Sequence, residues 1–243
     1  MAQKGLKLKN PLNLTNILYF FVIGSALTCT QIVKKQNIPM DWSKFDIDLP
    51  KGIEVYSGFN NDIPLKAWVA KIDLKEKNIV AKVLSSSDKD HTETPLQFLE
   101  NTGARIVING GFFNSDKNPT QHVGLLKTKG ILEEPASHSV YRDSERFYIS
   151  RGAFGIDRDG KIDIAWCSTK NDSIFEWKRP LTNRPGYPNP SISFSNATYW
   201  DVKDAVHAGP VLISDGQIDL TLEDEVFFNT PVAGVQPRSA VGY

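Results

Sequence analysis

Apolar and polar positions alternate along the chain from residue 65 onward. Trp68, Ala70 and Ile72 fall on one face of an extended segment, and polar residues lie between them. A period of two indicates a half-buried β-strand. A second β-branched run at 79–83 follows a polar turn, so 65–83 predicts an antiparallel hairpin. Similar runs predict strands at 105–108, 123–127, 147–150, 153–157, 162–166 and 206–213.

Turn signals separate these predicted strands. The Asp-Gly pairs at 159–160 and 215–216 each lie between apolar runs, which is typical of tight hairpins. Residues 178–190 contain four prolines and a glycine, which exclude a regular helix or central strand. This stretch predicts an extended loop.

One short helix is predicted after residue 94. Thr94 is a good N-cap, Pro95 suits the first helical position, and Gly103 suits the end of the helix. Long helices do not alternate with the strands, which argues against a doubly wound fold. The pattern therefore predicts a single-domain α+β fold, with a strand-dominated mixed or antiparallel sheet and few short helices.

The first thirty residues differ from the rest of the chain. Lys4, Lys7 and Lys9 precede an apolar run at 17–24, and small residues follow it. This order predicts a signal peptide over 1–28 and therefore an exported protein, periplasmic or on the cell surface. A short uncleaved membrane anchor is the alternative.

Cys29 follows this leader and is similar to the lipid-attachment site of bacterial lipoproteins. The polar, proline-containing residues 29–62 predict a tether and entry segment, and 63–243 predict the folded domain. The other cysteine, Cys167, lies beside Trp166 in an apolar stretch. We expect it to be a small buried hydrophobic residue rather than a nucleophile.

Charge and composition narrow the possible partners. The 243 residues carry 28 basic and 28 acidic side chains, without a basic block that would indicate nucleic-acid binding. No nucleic-acid partner is expected. The histidines and cysteines lack the spacing of a zinc site, so no metal or other cofactor is predicted.

A twin-glycine segment follows the predicted strand at 105–108. Asn109, Gly110 and Gly111 let the main chain turn sharply and bring its amides close to an anion or a sugar hydroxyl. Phe112 or the next phenylalanine offers an apolar face to a sugar ring. A glycine bulge with two core phenylalanines is the alternative interpretation.

Two charged or titratable residues later in the chain suit a phosphorylated ligand. Arg238 can hold two phosphate oxygens with its planar guanidinium, and Ser239 adds a hydroxyl. His207 precedes an Ala-Gly-Pro turn and can act as an acid, a base or a phosphate partner, or can be a structural histidine. His122 is a second, weaker candidate.

Four segments in this order resemble the phosphodiester glycosidase family, whose best-known animal member uncovers mannose 6-phosphate by removing N-acetylglucosamine. The segments are Asn109-Gly110-Gly111-Phe112-Phe113-Asn114, Gly124-Leu125-Leu126 with Gly130, His207-Ala208-Gly209-Pro210 with Asp215-Gly216, and Pro237-Arg238-Ser239-Ala240-Val241-Gly242. The resemblance spans about residues 65–243. It implies catalysis by Arg238 and His207, and substrate binding by Asn109, Gly110, Gly111, Phe112, Asn114, Gly209 and Ser239.

The implied activity is hydrolysis of a sugar-1-phosphodiester in a glycan or glycolipid. Glycosidases commonly use two carboxylates, but a departing phosphate needs less protonation, and Arg238 can stabilise its charge. One carboxylate or histidine would then activate water. The candidate carboxylates are Asp157, Asp163, Glu176, Asp201 and Asp204.

The resemblance also leaves alternatives open. Family members continue beyond the Pro-Arg-Ser segment to an Asp-Gly-Gly motif, which the 243 residues do not contain. A C-terminally truncated domain of this kind can be an envelope lipoprotein that binds or helps to process glycans without turnover. A purely structural lipoprotein is the third interpretation.

Overall fold

The computed structural model describes residues 39–243. The predicted signal peptide, the lipid-attachment site at Cys29 and the start of the predicted tether lie outside these residues. Two compact units are distinguished. Among the described residues, the first comprises 39–42 and 58–67, and the second comprises 43–57 and 68–243.

The largest element is an antiparallel seven-stranded sheet. Its strands are β6 (Leu126–Thr128), β7 (Ile131–Glu134), β10 (Arg151–Ile156), β11 (Ile162–Lys170), β12 (Ser173–Trp177), β13 (Thr198–Tyr199) and β14 (Asp204–His207). They are arranged in the order β13-β12-β11-β10-β14-β6-β7. The late strand β14 thus lies between β10 and the early strand β6, where it pairs Ala153 with His207 and Val206 with Leu126.

Shorter strands complete the fold. A three-stranded sheet contains β1 (Asp41–Lys44), β2 (Ile53–Asn60) and β3 (Leu65–Ile72) in that order. Three two-stranded hairpins pair β4 (Phe112–Asn114) with β5 (Gln121–Val123), β8 (Ser139–Arg142) with β9 (Glu145–Tyr148), and β15 (Ile213–Ser214) with β16 (Gln217–Ile218).

The α+β prediction is wrong, because the protein is mostly β. Strands account for 36% of the structure and helix for 5%. Within residues 39–243, the helices are α1 (Pro95–Thr102) and a 3-10 turn (Pro231–Ala233). Neither buries a residue, so they form no packed layer against a sheet.

Several local predictions are confirmed. Thr94 and Gln97 form a reciprocal capping box at the start of α1, and Gly103 ends the helix in the left-handed conformation. The Asp-Gly turns at 159–160 and 215–216 join β10 to β11 and β15 to β16.

Two predicted strands are absent. Residues 79–83 and 105–108 form no strand, and Val80 and Ile108 are exposed. A β-branched sequence becomes a strand only when a neighbouring strand satisfies its backbone groups. Neither segment has such a neighbour among residues 39–243.

The larger buried cluster lies along the large sheet, and the smaller one lies beside the β8–β9 hairpin. One buried cluster contains Leu125, Ala153, Ala165, Cys167, Ile174, Trp200 and Ala205, and a second contains Phe147, Ile149, Val226 and Phe228. The buried position of Cys167 is as predicted.

The proline-rich loop 178–190 is anchored by the buried side chain of Asn183. Its amide nitrogen donates to the carbonyl oxygens of Tyr148, Leu181 and Asp224, and its oxygen accepts from the Asn189 amide. The loop therefore has a fixed path without forming a regular element, as its prolines predict.

Candidate active site

The twin-glycine bend leads directly into β4. The pairing of β4 with β5 places Phe113 opposite His122. A Cβ on Gly111 would collide with the carbonyl oxygen of His207 and lie 2.7 Å from Cε1 of His122. Glycine is therefore required for the close approach of the bend to both histidines.

His207 ends β14 with its ring in the interior. Its backbone amide donates to the Leu125 carbonyl oxygen at 2.9 Å, and its Nε2 lies 3.4 Å from Sγ of Cys167. The residue is 2% exposed. Burial lowers the pKa of His207 to about 3, with a further contribution from the positive charge of Arg151. The imidazole is thus neutral at physiological pH.

His122 lies closer to the surface. Its Nε2 is 3.1 Å from the Leu125 carbonyl oxygen, which can only accept, so Nε2 carries the proton in the neutral ring. Nδ1 then has a free lone pair. Burial lowers the pKa of His122. This histidine can therefore accept a proton at neutral pH.

A buried carboxylate supports the turn after His207. Glu225 is 0% exposed, and one oxygen accepts from the Val211 amide at 2.8 Å while the other accepts from the Gly152 amide at 2.7 Å. Trp166 Nε1 and the Thr221 hydroxyl donate to the first oxygen at 3.0 and 2.6 Å. Burial raises the pKa of Glu225, and these hydrogen bonds oppose the shift.

Gly209 lies directly above this carboxylate. A Cβ there would collide with Glu225 Oε2 and lie 3.1 Å from the ring of Phe227. The Phe227 ring in turn packs against Phe112, with the two ring centroids 5.8 Å apart. Two predicted binding residues, Gly209 and Phe112, therefore meet at Phe227.

The last predicted segment contacts the first. The hydroxyl of Ser239 donates to Oδ1 of Asn109. The neighbouring Arg238 is exposed, and its Nη2 donates to the carbonyl oxygens of Val232 and Gly234 at 2.9 and 2.5 Å and of Pro231 at 3.3 Å. The hydroxyl thus lies at the twin-glycine bend, while the guanidinium caps the 3-10 turn.

Comparison with known sequences decides the family. The sequence model of the phosphodiester glycosidase family matches residues 102–243, which is more than half of the chain. The chain belongs to the phosphodiester glycosidase family. The predicted resemblance is thereby confirmed. A search of curated proteins and a search of solved structures each returned no match.

Membership of this family supports a glycosidase acting on phosphodiester-linked sugars. The matched range includes the whole neighbourhood of the bend, His122, His207 and Glu225. The roles of the individual residues stay predictions, including substrate binding by Gly110 and Asn114. The side-chain oxygen of Asn114 accepts from the Asp116 amide at 3.0 Å, and therefore shapes the end of β4.

The predicted carboxylates occupy other parts of this glycosidase domain. Asp157 accepts hydrogen bonds from the backbone amides of residues 159 and 161. Asp163 accepts from the Trp200 indole, and Asp204 accepts from the Lys129 amide. Asp201 lies 4.0 Å from Arg158, and Glu176 lies on β12, where burial raises its pKa. In the described part of the chain, none of the five hydrogen-bonds to residues 109–114.

Arg151 and Glu225 were missed by the sequence reasoning. Glu225 belongs to the acidic run Glu223-Asp224-Glu225, which is typical of a solvated turn. The only available signal was the apolar Val226-Phe227-Phe228 that follows directly. Arg151 lies in the gap between the predicted strands 147–150 and 153–157, where no motif marks it.

Two shallow hollows lie away from these residues. One of about 430 Å³ is lined by Gly52, Glu54, Lys71, Ile72 and Asp73. Another of about 370 Å³ is lined by Lys127, Lys129, Gly130, Arg158, Val202 and Lys203. None of the predicted site residues lines either hollow.

Within residues 39–243, no group of three or more histidine, cysteine or acidic side chains is arranged to hold a metal ion. The helices in this part of the chain also lack the length and apolar character needed to cross a bilayer.

Proposed function

We propose that the protein is an exported hydrolase that cleaves the bond between an anomeric carbon and phosphate in a glycan or glycolipid phosphodiester. The leader at 1–28 would direct export, and Cys29 would attach the mature chain to a membrane through lipid. The proposal depends on the contact between Ser239 and Asn109, which joins the last segment of the family pattern to the first.

The chemistry of the leaving group suits this site. When the glycosidic C–O bond breaks, its electron pair goes to a phosphate monoester, whose second pKa is about 6. Such a group leaves at neutral pH as an anion, and a positive charge can stabilise it without a strong general acid. Arg238, one residue from Ser239, is the predicted source of that charge.

Water must add to the anomeric carbon and lose a proton. His122 suits this role because its ring packs against Gly111 and its Nδ1 is unprotonated in the neutral form. We assign the base to His122 and a supporting role to the buried ring of His207. The products are a free sugar and a phosphate monoester.

Hydrolysis of a simple sugar-1-phosphodiester in ¹⁸O-labelled water tests the proposal. Free sugar should appear with the label at its anomeric carbon, because the C–O bond breaks. Label on phosphorus would show a phosphodiesterase and would overturn the proposal. Mass spectrometry of both products separates the two outcomes.

Two variants test the assigned residues. Arg238→Ala should lower kcat roughly 100-fold, since it removes a charge that acts on the leaving phosphate. His122→Gln should lower kcat by a similar factor. It should also abolish the fall in kcat at acidic pH that protonation of His122 causes in the wild type. Arg146→Ala is the matched control, because Arg146 is an exposed arginine on β9. Unchanged activity in both test variants would refute these assignments.

A glycan-binding protein without turnover is the second candidate. It is favoured by the positions of the five candidate carboxylates, each of which lies outside the contacts of the twin-glycine bend. Calorimetric binding of the same phosphodiester without release of sugar would identify this function instead.

A further inference from the structure

Arg151, at the start of β10, is held in one orientation. Its Nε donates to the Glu225 carbonyl oxygen at 3.0 Å, and its Nη2 donates to the Val226 carbonyl oxygen at 3.3 Å. The guanidinium carbon lies 4.2 Å from the centroid of the Phe227 ring. These contacts fix the plane of a side chain that is only partly exposed.

This arginine forms no direct ion pair within residues 39–243. None of the ion pairs there includes it. The nearby Glu225 carboxylate is occupied by Gly152, Val211, Trp166 and Thr221 instead. A partly buried charge without a direct ion pair is unfavourable, and a bound anion would offset that penalty.

A second cation increases the local positive charge. Arg142 donates through its own Nη2 to the same Val226 carbonyl oxygen at 3.0 Å. Burial and the charge of Arg142 lower the pKa of Arg151 to about 10, and the charge of Glu225 opposes the shift. Arg151 therefore remains positively charged at neutral pH, and the site attracts anions.

One edge of the Arg151 guanidinium is available. A guanidinium has five N–H donors, and the two carbonyl contacts use one from Nε and one from Nη2. Nη1 has no hydrogen-bond partner in the described residues, and it is not among the buried unpaired atoms, which are Arg142 Nε and Ser168 Oγ. Nη1 is therefore not fully buried, and the Nη1–Nη2 edge retains donors that no residue of the described chain uses.

The location of Arg151 connects it to the candidate site. The Phe227 ring beneath it contacts Phe112, and Gly209 approaches the same ring. We infer that Arg151 is a phosphate-binding residue of this site, which grips two oxygens of a phosphate group through its Nη1–Nη2 edge. The identity of the phosphate as part of a sugar phosphodiester rests on the proposed function; the anion site itself does not.

Chemical modification of the wild-type protein tests the anion site directly. Phenylglyoxal should modify Arg151, and inorganic phosphate should protect it at constant ionic strength, as read by peptide mass spectrometry. Arg146 is the internal control, since it also lies over an aromatic ring, Tyr148, but is exposed on β9. Its modification should not change with phosphate. Equal modification of Arg151 with and without phosphate would overturn the inference, as would an Arg151 that never reacts.

Variants give a second readout. Arg151→Met should weaken calorimetric binding of methyl phosphate about tenfold or more, and Arg151→Lys should weaken it less, because an ammonium keeps the charge but lacks the bidentate edge. Arg146→Met should bind as wild type. Wild-type affinity in a folded Arg151→Met variant would refute the inference. If that variant does not fold, the protection experiment decides.

The two proposals can fail separately. Protection of Arg151 by phosphate without any release of sugar would overturn the proposed function and support the anion site. Release of sugar by a protein whose Arg151 is not protected by phosphate would support the proposed function and overturn the anion site.

Discussion

Three ionisable side chains, those of Cys167, His207 and Glu225, are buried in the interior. Burial lowers the pKa of His207 and raises the pKa values of Cys167 and Glu225, so it favours the neutral form of each group. Arg151, by contrast, keeps its charge at neutral pH, and Arg142 lies beside it. An incoming phosphate would therefore meet the positive charge of Arg151 there.

The stability of the fold should depend on pH through His207. The pKa of its ring is about 3 in the fold and about 6.5 in an unfolded chain. As pH falls below about 6.5 the unfolded chain binds a proton that the folded chain does not, so the stabilisation present above that pH is progressively lost toward pH 3. The free energy of unfolding should fall by up to about 1.4 kcal/mol per pH unit between pH 6.5 and 5.

Urea unfolding at a series of pH values measures this slope. His207→Asn should flatten it, whereas His138→Asn, at an exposed histidine, should retain it. The same slope in wild type and His207→Asn would show that His207 is not responsible.

At single positions, the sequence indicates which residues belong to motifs but not how far each side chain is buried. His207 was recognised from the turn that follows it, yet its burial depends on Gly124, which makes room for the ring. Glu225 was overlooked because neighbouring acidic residues look alike until the fold turns one of them inward. Only tertiary packing distinguishes these cases.

Among the elements, those defined by local chemistry were predictable. The capping box of α1 and the two Asp-Gly hairpins use residues that are adjacent in the chain. The state of the segments 79–83 and 105–108 was not predictable from local sequence, since a strand requires a partner strand that is often distant in the sequence. The predicted helix α1 forms, but it buries no residue, so the α+β fold class was wrong.

The turn that joins β14 to β15 should be sensitive to a methyl group at Gly209. Gly209 has a φ of +81°, and a Cβ there would collide with the Glu225 carboxylate. Gly209→Ala should therefore lower the free energy of unfolding by more than the roughly 1–2 kcal/mol of left-handed strain alone.

Gly160 provides a matched control for this turn. Its φ is +82°, but a Cβ there would meet no atom within 4 Å. Gly160→Ala should show the backbone strain without the collision. Equal losses in the two variants, measured by denaturant unfolding, would exclude a role for Glu225.

At the level of the whole molecule, the order of the sheet was not predictable. β14 comes late in the sequence but lies between β10 and β6 in the sheet. This position brings His207 beside residues 111 and 124. No local signal encodes such an insertion. The site therefore results from a long-range pairing, even though each of its segments was visible in the sequence.

Hydrogen exchange should reflect this architecture. Amides of β10 and β14, at the centre of the large sheet, should exchange slowest, because their opening exposes the main core. Amides of 79–87 and 106–110, which form no ladder, should exchange fastest within the described range. Mass spectrometry of peptides would test the ranking, and strong protection at 106–110 would contradict it.

The anchoring of the proline-rich loop has a consequence for ageing of the protein. One amide group of Asn183 donates to three carbonyl oxygens from different parts of the chain. Deamidation would convert that donor into a carboxylate and direct its negative charge at the same oxygens. A single chemical event would thus remove the central anchor of the 178–190 segment and leave its outer contacts, such as the Leu181 amide on the Ser150 hydroxyl, to hold it.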